Sequence, residues 1–172
     1  MAGFYVYLIS SLPMLHFGAK PPFSFERFLE TCQDKISAGD IHLIKSTQES
    51  FLYTSDQSTL KQWYAFDTAV RNELAKIRAS SKHLDPLKHI RGQDYIEPYI
   101  TRVAMSARRN PSILEAERLL DQERWRKLDE LALGHYFDLD FLICYALKLL
   151  ILERWERVNT ADRLKLLNEV LN

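Results

Sequence analysis

Signatures of chemistry are missing from this sequence. It has no glycine-rich phosphate loop, no Cys-x-x-Cys pair, no His-Glu-x-x-His and no Gly-x-Ser-x-Gly, each of which would set a phosphate, a metal or a nucleophile in a defined backbone geometry. The sequence therefore nominates no catalytic, cofactor-binding or metal residue. Cysteine is scarce too: Cys32 and Cys144 lie far apart, each within an apolar stripe, where a thiol behaves as a small hydrophobe. That pattern suits a reduced, cytosolic chain better than a disulfide framework. Net charge is absent, since 23 Lys and Arg balance 23 Asp and Glu, so no global field draws in nucleic acid or anionic lipid. Nor is there a membrane-length run. Residues 141–152 are a dozen, interrupted by Lys148, where a span needs about 20 apolar residues. Residues 4–9 are apolar but lack a basic flank and a small-residue cleavage site, and Pro13 soon interrupts them, so no secretion signal is read.

What is present is a core. With 47% hydrophobic residues in a chain of 172, one domain, 1–172, can bury a real interior. Residues 138–158 are too apolar for a surface helix and read as a buried central one, capped by Asp138 and preceded by Gly134 at a tight corner. Ser24 caps a helix over 24–37 with Phe25, Phe28, Leu29, Cys32 and Ile36 on one stripe. Ser37-Ala38-Gly39 ends it, and Asp40 caps a short segment with Ile41, Leu43 and Ile44. Residues 47–58 are mostly polar. Leu60, Trp63, Phe66, Val70, Leu74 and Ile77 then mark a long helix over 58–80. A loop or hinge is read near 80–94. The next helix, with Tyr99, Ile100, Val103 and Ala107, can begin only near Pro98. Asn110-Pro111 reads as N-cap and first turn of a helix running to Gly134, and Thr160 as the cap of a last helix with Leu164, Leu167, Val170 and Leu171 inward. Residues 4–9 are the one strand-like piece. The fold class expected is all-α, a bundle of about six helices with at most one short N-terminal strand. Trp63, Trp125, Phe141, Tyr145 and Leu149 should be largely buried.

Charge is segregated locally. Between 76 and 109 stand eight basic residues, Lys76, Arg78, Lys82, Lys88, Arg91, Arg102, Arg108 and Arg109, against Asp85, Asp94 and Glu97; residues 115–140 reverse this with eight acids and four bases. Such runs are ordinarily solvated faces with some internal pairing; the alternative is a docking surface for charged partner proteins. Nucleic-acid binding would need exposed aromatics among the basic residues, with Tyr95 and Tyr99 the candidates, but most aromatics sit in apolar stripes. The five histidines are dispersed, and His83 with His89 reads as a weakly basic loop rather than a metal site.

Two stretches carry a resemblance. Phe137-Asp138 at the head of the central helix, Tyr145 two turns in, Lys148, and Glu153-Arg154 near its end resemble the closing helix of the C subunit of V-type and A-type ATPases, called d in eukaryotic complexes, over about 136–171. Tyr5-Val6-Tyr7-Leu8-Ile9-Ser10-Ser11-Leu12-Pro13, then Lys20-Pro21-Pro22-Phe23-Ser24 and Phe28-Leu29, are similar to the opening of a short bacterial family encoded among V-type ATP synthase subunits. The likeness implies an all-helical, non-catalytic adapter without a cofactor, cytoplasmic and peripheral to the inner membrane, that seats the central stalk on the membrane rotor ring. Its partners would be the stalk and ring subunits, without nucleic acid or direct membrane insertion. C subunits are longer and built from three similar helical units, so this chain would supply part of that socket. In that setting Arg78, Lys82, Lys88, Arg91, Arg102, Arg108 and Arg109 would meet acidic partner loops, and Arg154 and Arg157 would line the concave side. The same composition also suits a free-standing helical interaction module or an assembly factor for that complex.

Overall fold

The computed structural model describes residues 4–48, 56–92 and 98–171, with side chains as far as residue 161. Among these residues there are seven α-helices, one 3-10 turn and no strand, so the all-α expectation holds. The chain divides into two compact units, Met1–Tyr53 with Leu128–Asn172, here the terminal unit, and Thr54–Lys127, the middle unit.

The terminal unit is organised by α7, Leu139–Leu171. From Leu142 to Leu147 every residue is buried, as are Leu149, Ile151 and Leu152, so this part of the helix is apolar on all sides, the mark of a core helix. Asp138 opens α7 by accepting the Phe141 N–H at 3.1 Å, and Gly134 turns the corner before it at φ 85°, as the sequence predicts. The expected break at Thr160 is absent, because α7 continues through it to Leu171. Nothing between 139 and 171 is a glycine or proline, and a mid-helix threonine costs less than about 0.7 kcal/mol against alanine. The inward positions Leu164, Leu167, Val170 and Leu171 lie beyond the described side chains.

Two short helices, α2 (Phe25–Cys32) and α3 (Ala38–Ser46), pack on α7 and on each other. α2 buries Phe25, Phe28 and Cys32, and the Phe28 ring lies 5.3 Å from that of Tyr145, centroid to centroid. Its first turn is satisfied from two directions: Ser24 accepts the Arg27 N–H at 3.2 Å, and Glu153, reaching from α7, accepts the Phe25 N–H at 2.8 Å. The expected helix over 24–37 stops at Cys32, and the turn that follows carries Asp34 at a left-handed φ of 64°. Ser37 then opens α3 rather than closing α2, accepting the Asp40 N–H at 3.1 Å; a serine hydroxyl one turn before the next amides is a natural N-cap. Residues 4–9, expected as a strand, instead enter α1, Val6–Ser11. An all-helical chain has no ladder for a lone strand to join, so its backbone must bond to itself. Burial of the adjacent Leu8 and Ile9, with Phe4, Val6 and Tyr7 exposed, also breaks strand alternation.

In the middle unit α4 spans Ser58–Ser81, within a residue of the expected 58–80. It buries Leu60, Trp63, Phe66, Ala69 and Val70 and packs on α5, Pro98–Arg109, and on the 3-10 turn Pro86–His89. α5 begins at Pro98 as expected and turns Ile100, Val103, Ala104 and Ala107 inward. The loop after the 3-10 turn is pinned by buried Asn72, whose amide accepts the Arg91 N–H and donates to the Arg91 carbonyl, both at 2.9 Å. α6 runs Ile113–Leu131, and its cap is Ser112, which accepts the Glu115 N–H at 3.3 Å. The expected cap, Asn110, stands two residues too early and accepts the Ser112 N–H in a turn of its own. The Ser-x-x-Glu spacing of Ser112 and Glu115 is the signal that Asn110-Pro111 obscured. Of the residues expected to be buried, Trp63, Trp125, Tyr145 and Leu149 are, and Phe141 is half-buried. Residues 49–55, within the polar stretch expected over 47–58, lie outside the described residues.

Candidate functional site

One concave feature is a cleft of about 280 Å³ in the terminal unit. One wall is Ile9 and Leu12 to Leu15, the segment that leaves α1. The other is Phe141, Cys144, Tyr145 and Lys148 of α7, and Asp129 and Ala132 complete the lining. The α7 positions follow i, i+3, i+4, i+7, so they form one continuous stripe along that helix. Tyr145 ties the walls together by donating its hydroxyl to the Pro13 carbonyl at 2.9 Å, and burial raises its pKa. Lys148, largely withdrawn from solvent, meets the more exposed Asp129 at 2.5 Å. Burial pushes the Cys144 thiol up to about 12 and that of Cys32 up to about 11, so both remain protonated and inert near neutrality.

The two stretches that carried the sequence resemblance meet in this unit. Tyr145 binds Pro13, the Tyr5 N–H donates to the Phe137 carbonyl at 2.6 Å, Glu153 caps α2, and Lys20 approaches Glu156 at 3.8 Å. Glu153 thus closes a helix end 128 residues away, a role invisible in its local charge cluster. Elsewhere in this unit Phe4, Val6 and Tyr7 in and just before α1, and Leu133, Tyr136 and Phe137 in the 132–138 corner, are exposed, and Met14, which lines the cleft, is open to solvent.

At the same corner His135 Nδ1 lies 2.6 Å from Asp138 Oδ2 and 3.8 Å from Asp140. The three groups are close enough to hold a metal ion, but Asp138 is already engaged on both oxygens, one with His135 and one with the first turn of α7. The arrangement is an ion pair across a helix corner. The hydrogen bond to Asp138 raises the His135 pKa above its usual value, and partial burial opposes this. A folded-state pKa above the unfolded one means that the pair stabilises the fold below about pH 6.5 and that this contribution fades as pH rises through the raised value. Asp138→Asn should therefore lower the His135 pKa in an NMR titration while leaving a usable helix cap. Asp138→Ala should also cost about 1 kcal/mol in urea unfolding. An unmoved His135 titration in both variants would dissolve the pair.

The nine basic residues picked out by the sequence divide between the units. In the middle unit Arg78 and Lys82 stand exposed at the end of α4, Lys88 on the 3-10 turn, Arg91 just after it, and Arg102, Arg108 and Arg109 on the outer side of α5. In the terminal unit Arg154 is half-buried, its guanidinium 6.0 Å above the Trp155 ring, and Arg157 is exposed. Tyr95 lies outside the described residues, and Tyr99 is half-buried with the Arg126 guanidinium 4.6 Å over its ring. His83 and His89 are exposed.

The acidic stretch 115–140 is not all surface. Asp121 is wholly buried and accepts from Arg124 at 2.9 Å; Arg124 also donates to Asp67 at 2.8 Å, and Asp67 accepts from Arg71 at 2.7 Å. Burial opposes the Arg124 charge, but Asp67 and Asp121 outweigh it and hold its pKa above the ordinary value. The spacing of Asp121 and Arg124, or of Asp67 and Arg71, could have been noticed in the sequence as helical pairs; the long-range bond from Arg124 to Asp67 could not.

Among the described residues no helix is long and apolar enough to cross a membrane. No curated protein and no solved structure matches the chain. Residues 98–172, from the start of α5 to the end of the chain, match the family model DUF2764, described as a protein of unknown function.

Proposed function

We propose that this chain is a non-catalytic, protein-binding subunit of a V-type ATP synthase or ATPase, held at the cytoplasmic face of the inner membrane through the complex. The observation that carries this reading is the set of large apolar side chains left exposed in the terminal unit, Phe4, Tyr7, Met14, Leu133, Tyr136 and Phe137. Aromatic and methionine side chains are the residues that protein interfaces favour.

The resemblance of residues within 5–29 and 136–171 to sequences of V-type complexes is what suggests the complex. In the finer form of the proposal the chain is a C-like adapter between the central stalk and the membrane rotor ring. An all-helical body suits that task, since helices packed along a buried α7 resist deformation under load. The exposed Arg78, Lys82, Lys88, Arg91, Arg102, Arg108 and Arg109 would meet acidic loops of neighbouring subunits, and Arg154 and Arg157 would contribute from α7. Rim charges of this kind chiefly steer association and set register.

Affinity purification of the tagged chain from gently solubilised native membranes, followed by mass spectrometry, tests the reading. Stoichiometric recovery of central-stalk and ring subunits is expected. Recovery only with incomplete complexes would make the chain an assembly factor, and recovery of no ATPase subunit would remove the complex from the account.

A further inference from the structure

We propose that residues 4–15 form a hinged flap, which detaches from α7 about the turn at residues 16–19 while the rest of the terminal unit stays folded. Its opening uncovers the α7 stripe of Phe141, Cys144, Tyr145 and Lys148. Such a device does not depend on which complex the chain serves.

The flap is lightly held. Of residues 4–24, Leu8 and Ile9 alone are buried. Phe4, Val6, Tyr7 and Met14 already face solvent, so detachment changes little for them. α1 has six residues and no side-chain cap, well short of the roughly 12–15 residues at which an isolated helix becomes marginal in water, so it has little stability of its own. α2 and α3 each pack closely on α7; α1 does not. Along the seam the cleft of about 280 Å³ lies between α7 and a wall of Ile9 and residues 12–15, and atoms that face a gap lose the attraction of a partner across it. Hydrogen bonds fasten the segment near its two ends: the Tyr5 N–H donates to the Phe137 carbonyl, the Tyr5 hydroxyl to Asp40, and the Tyr145 hydroxyl to the Pro13 carbonyl. Each of these groups meets water once the flap lifts, so opening strands no polar group in the interior.

A turn separates this loose segment from a fixed one. The Ala19 N–H closes on the His16 carbonyl at 3.1 Å, and Gly18 holds φ at 80°, a left-handed position that glycine adopts without strain. Beyond the turn the chain is anchored. The Phe23 ring lies 6.5 Å from that of Phe28 and 6.4 Å from that of Tyr145, Phe25 is wholly buried, and Glu153 accepts the Phe25 N–H. Burial of Leu8 and Ile9 keeps the closed form dominant, and lifting of a segment with so few buried side chains belongs to the low-energy end of native-state opening. Cys144 reports the motion, because it lines the cleft opposite the flap yet is only 1% exposed; Cys32 is buried on α2 and lines no part of the cleft.

The test is thiol labelling of the full chain under native conditions, with methyl methanethiosulfonate and separately with a bulky maleimide dye, each cysteine being followed by peptide mass spectrometry. Cys144 should react at least about tenfold faster than Cys32 with either reagent, since opening of the flap is less costly than unfolding of the unit. Its slowing relative to a free thiol should be the same for both reagents, because a lifted flap admits both. Ile9→Ala should speed Cys144 by at least about tenfold, and Tyr145→Phe by about two- to tenfold, the effect of one lost hydrogen bond. Both variants should leave the Cys32 rate and the circular dichroism unchanged. Hydrogen exchange on the unaltered chain gives a second reading. The Ile9 N–H, bonded within α1 to the Tyr5 carbonyl, should exchange about a hundredfold faster or more than the amides of residues 142–152. Equal labelling of the two cysteines, or variants that speed both alike, would make the opening global and overturn the proposal. So would exclusion of the bulky dye from Cys144, a Cys144 rate indifferent to both variants, or exchange at Ile9 as slow as that within α7.

Discussion

Replacing Arg124 with methionine is expected to destabilise the middle unit by about 3–5 kcal/mol, the range for breaking a buried charge network by removing one partner. The size follows from what remains. Asp121 has no exposed surface and Asp67 has little, and both bond to the same guanidinium, which is itself only 11% exposed. Arg71 still reaches Asp67, but from a side chain about half in solvent, where a pair is worth roughly 0–1 kcal/mol. Asp121 loses its guanidinium altogether. Because a domain is stable by only about 5–15 kcal/mol, a loss on this scale should be plain in urea unfolding. A Trp155→Phe background leaves Trp63 and Trp125, both buried in the middle unit, as the fluorescent reporters. Changing Asp121 and Asp67 to apolar residues along with Arg124 should recover most of the loss, since a well-packed apolar replacement of a buried ionic cluster is often neutral. A loss below about 1 kcal/mol for Arg124→Met alone, the level of an exposed pair, would show that water reaches these carboxylates.

Leu149→Ala should cost about 2–5 kcal/mol, the transfer term for the removed methyl groups plus the cavity they leave. Leu149 is fully buried in the all-apolar part of α7, the helix on which α2 and α3 both pack, so the neighbours that could collapse into the gap are themselves held. Leu150, one position on, is only half-buried, and Leu150→Ala should cost clearly less. Leu149→Met keeps the volume and should stay under about 1.5 kcal/mol. Urea unfolding followed by far-UV circular dichroism checks all three. Equal costs at 149 and 150 would mean that α7 is not a central helix with an inward side at Leu149.

These two predictions separate what was legible in the sequence from what was not. α7 could be read directly: a dozen apolar residues, a capping aspartate and a glycine corner are local signals, and each acts within a turn or two of itself. α4 and the start of α5 were legible for the same reason, the first from its repeating Leu60, Trp63, Phe66 and Val70, the second from the backbone restriction at Pro98. Local signals also competed. Asn110 and Ser112 are both good caps, and Glu115 decides for serine; Ser37 can close one helix or open the next, and the left-handed Asp34 decides that it opens α3. Residues 4–9 carry strand-forming side chains, yet strand formation needs a neighbour and the described residues hold no other strand.

The cleft was not legible at all, and of the buried ion network only the helical spacings of Asp121 with Arg124 and of Asp67 with Arg71 were. The cleft exists because Tyr145 reaches Pro13 and because the backbone of Tyr5 binds that of Phe137, contacts spanning more than a hundred residues of sequence. Asp121 sits on what reads as the apolar stripe of α6, and its burial is helped by Arg124, which is itself held by Asp67 57 residues away in sequence. By itself the amino-acid sequence determined the helical class, the central helix and several helix ends, because propensity, capping and periodicity act over one or two turns of backbone. Tertiary structure alone decided which carboxylates are solvated and which are buried, which helix end Glu153 caps, and that α1 and α7 leave an open apolar cleft, because burial and pairing depend on side chains that the chain brings together only when it folds.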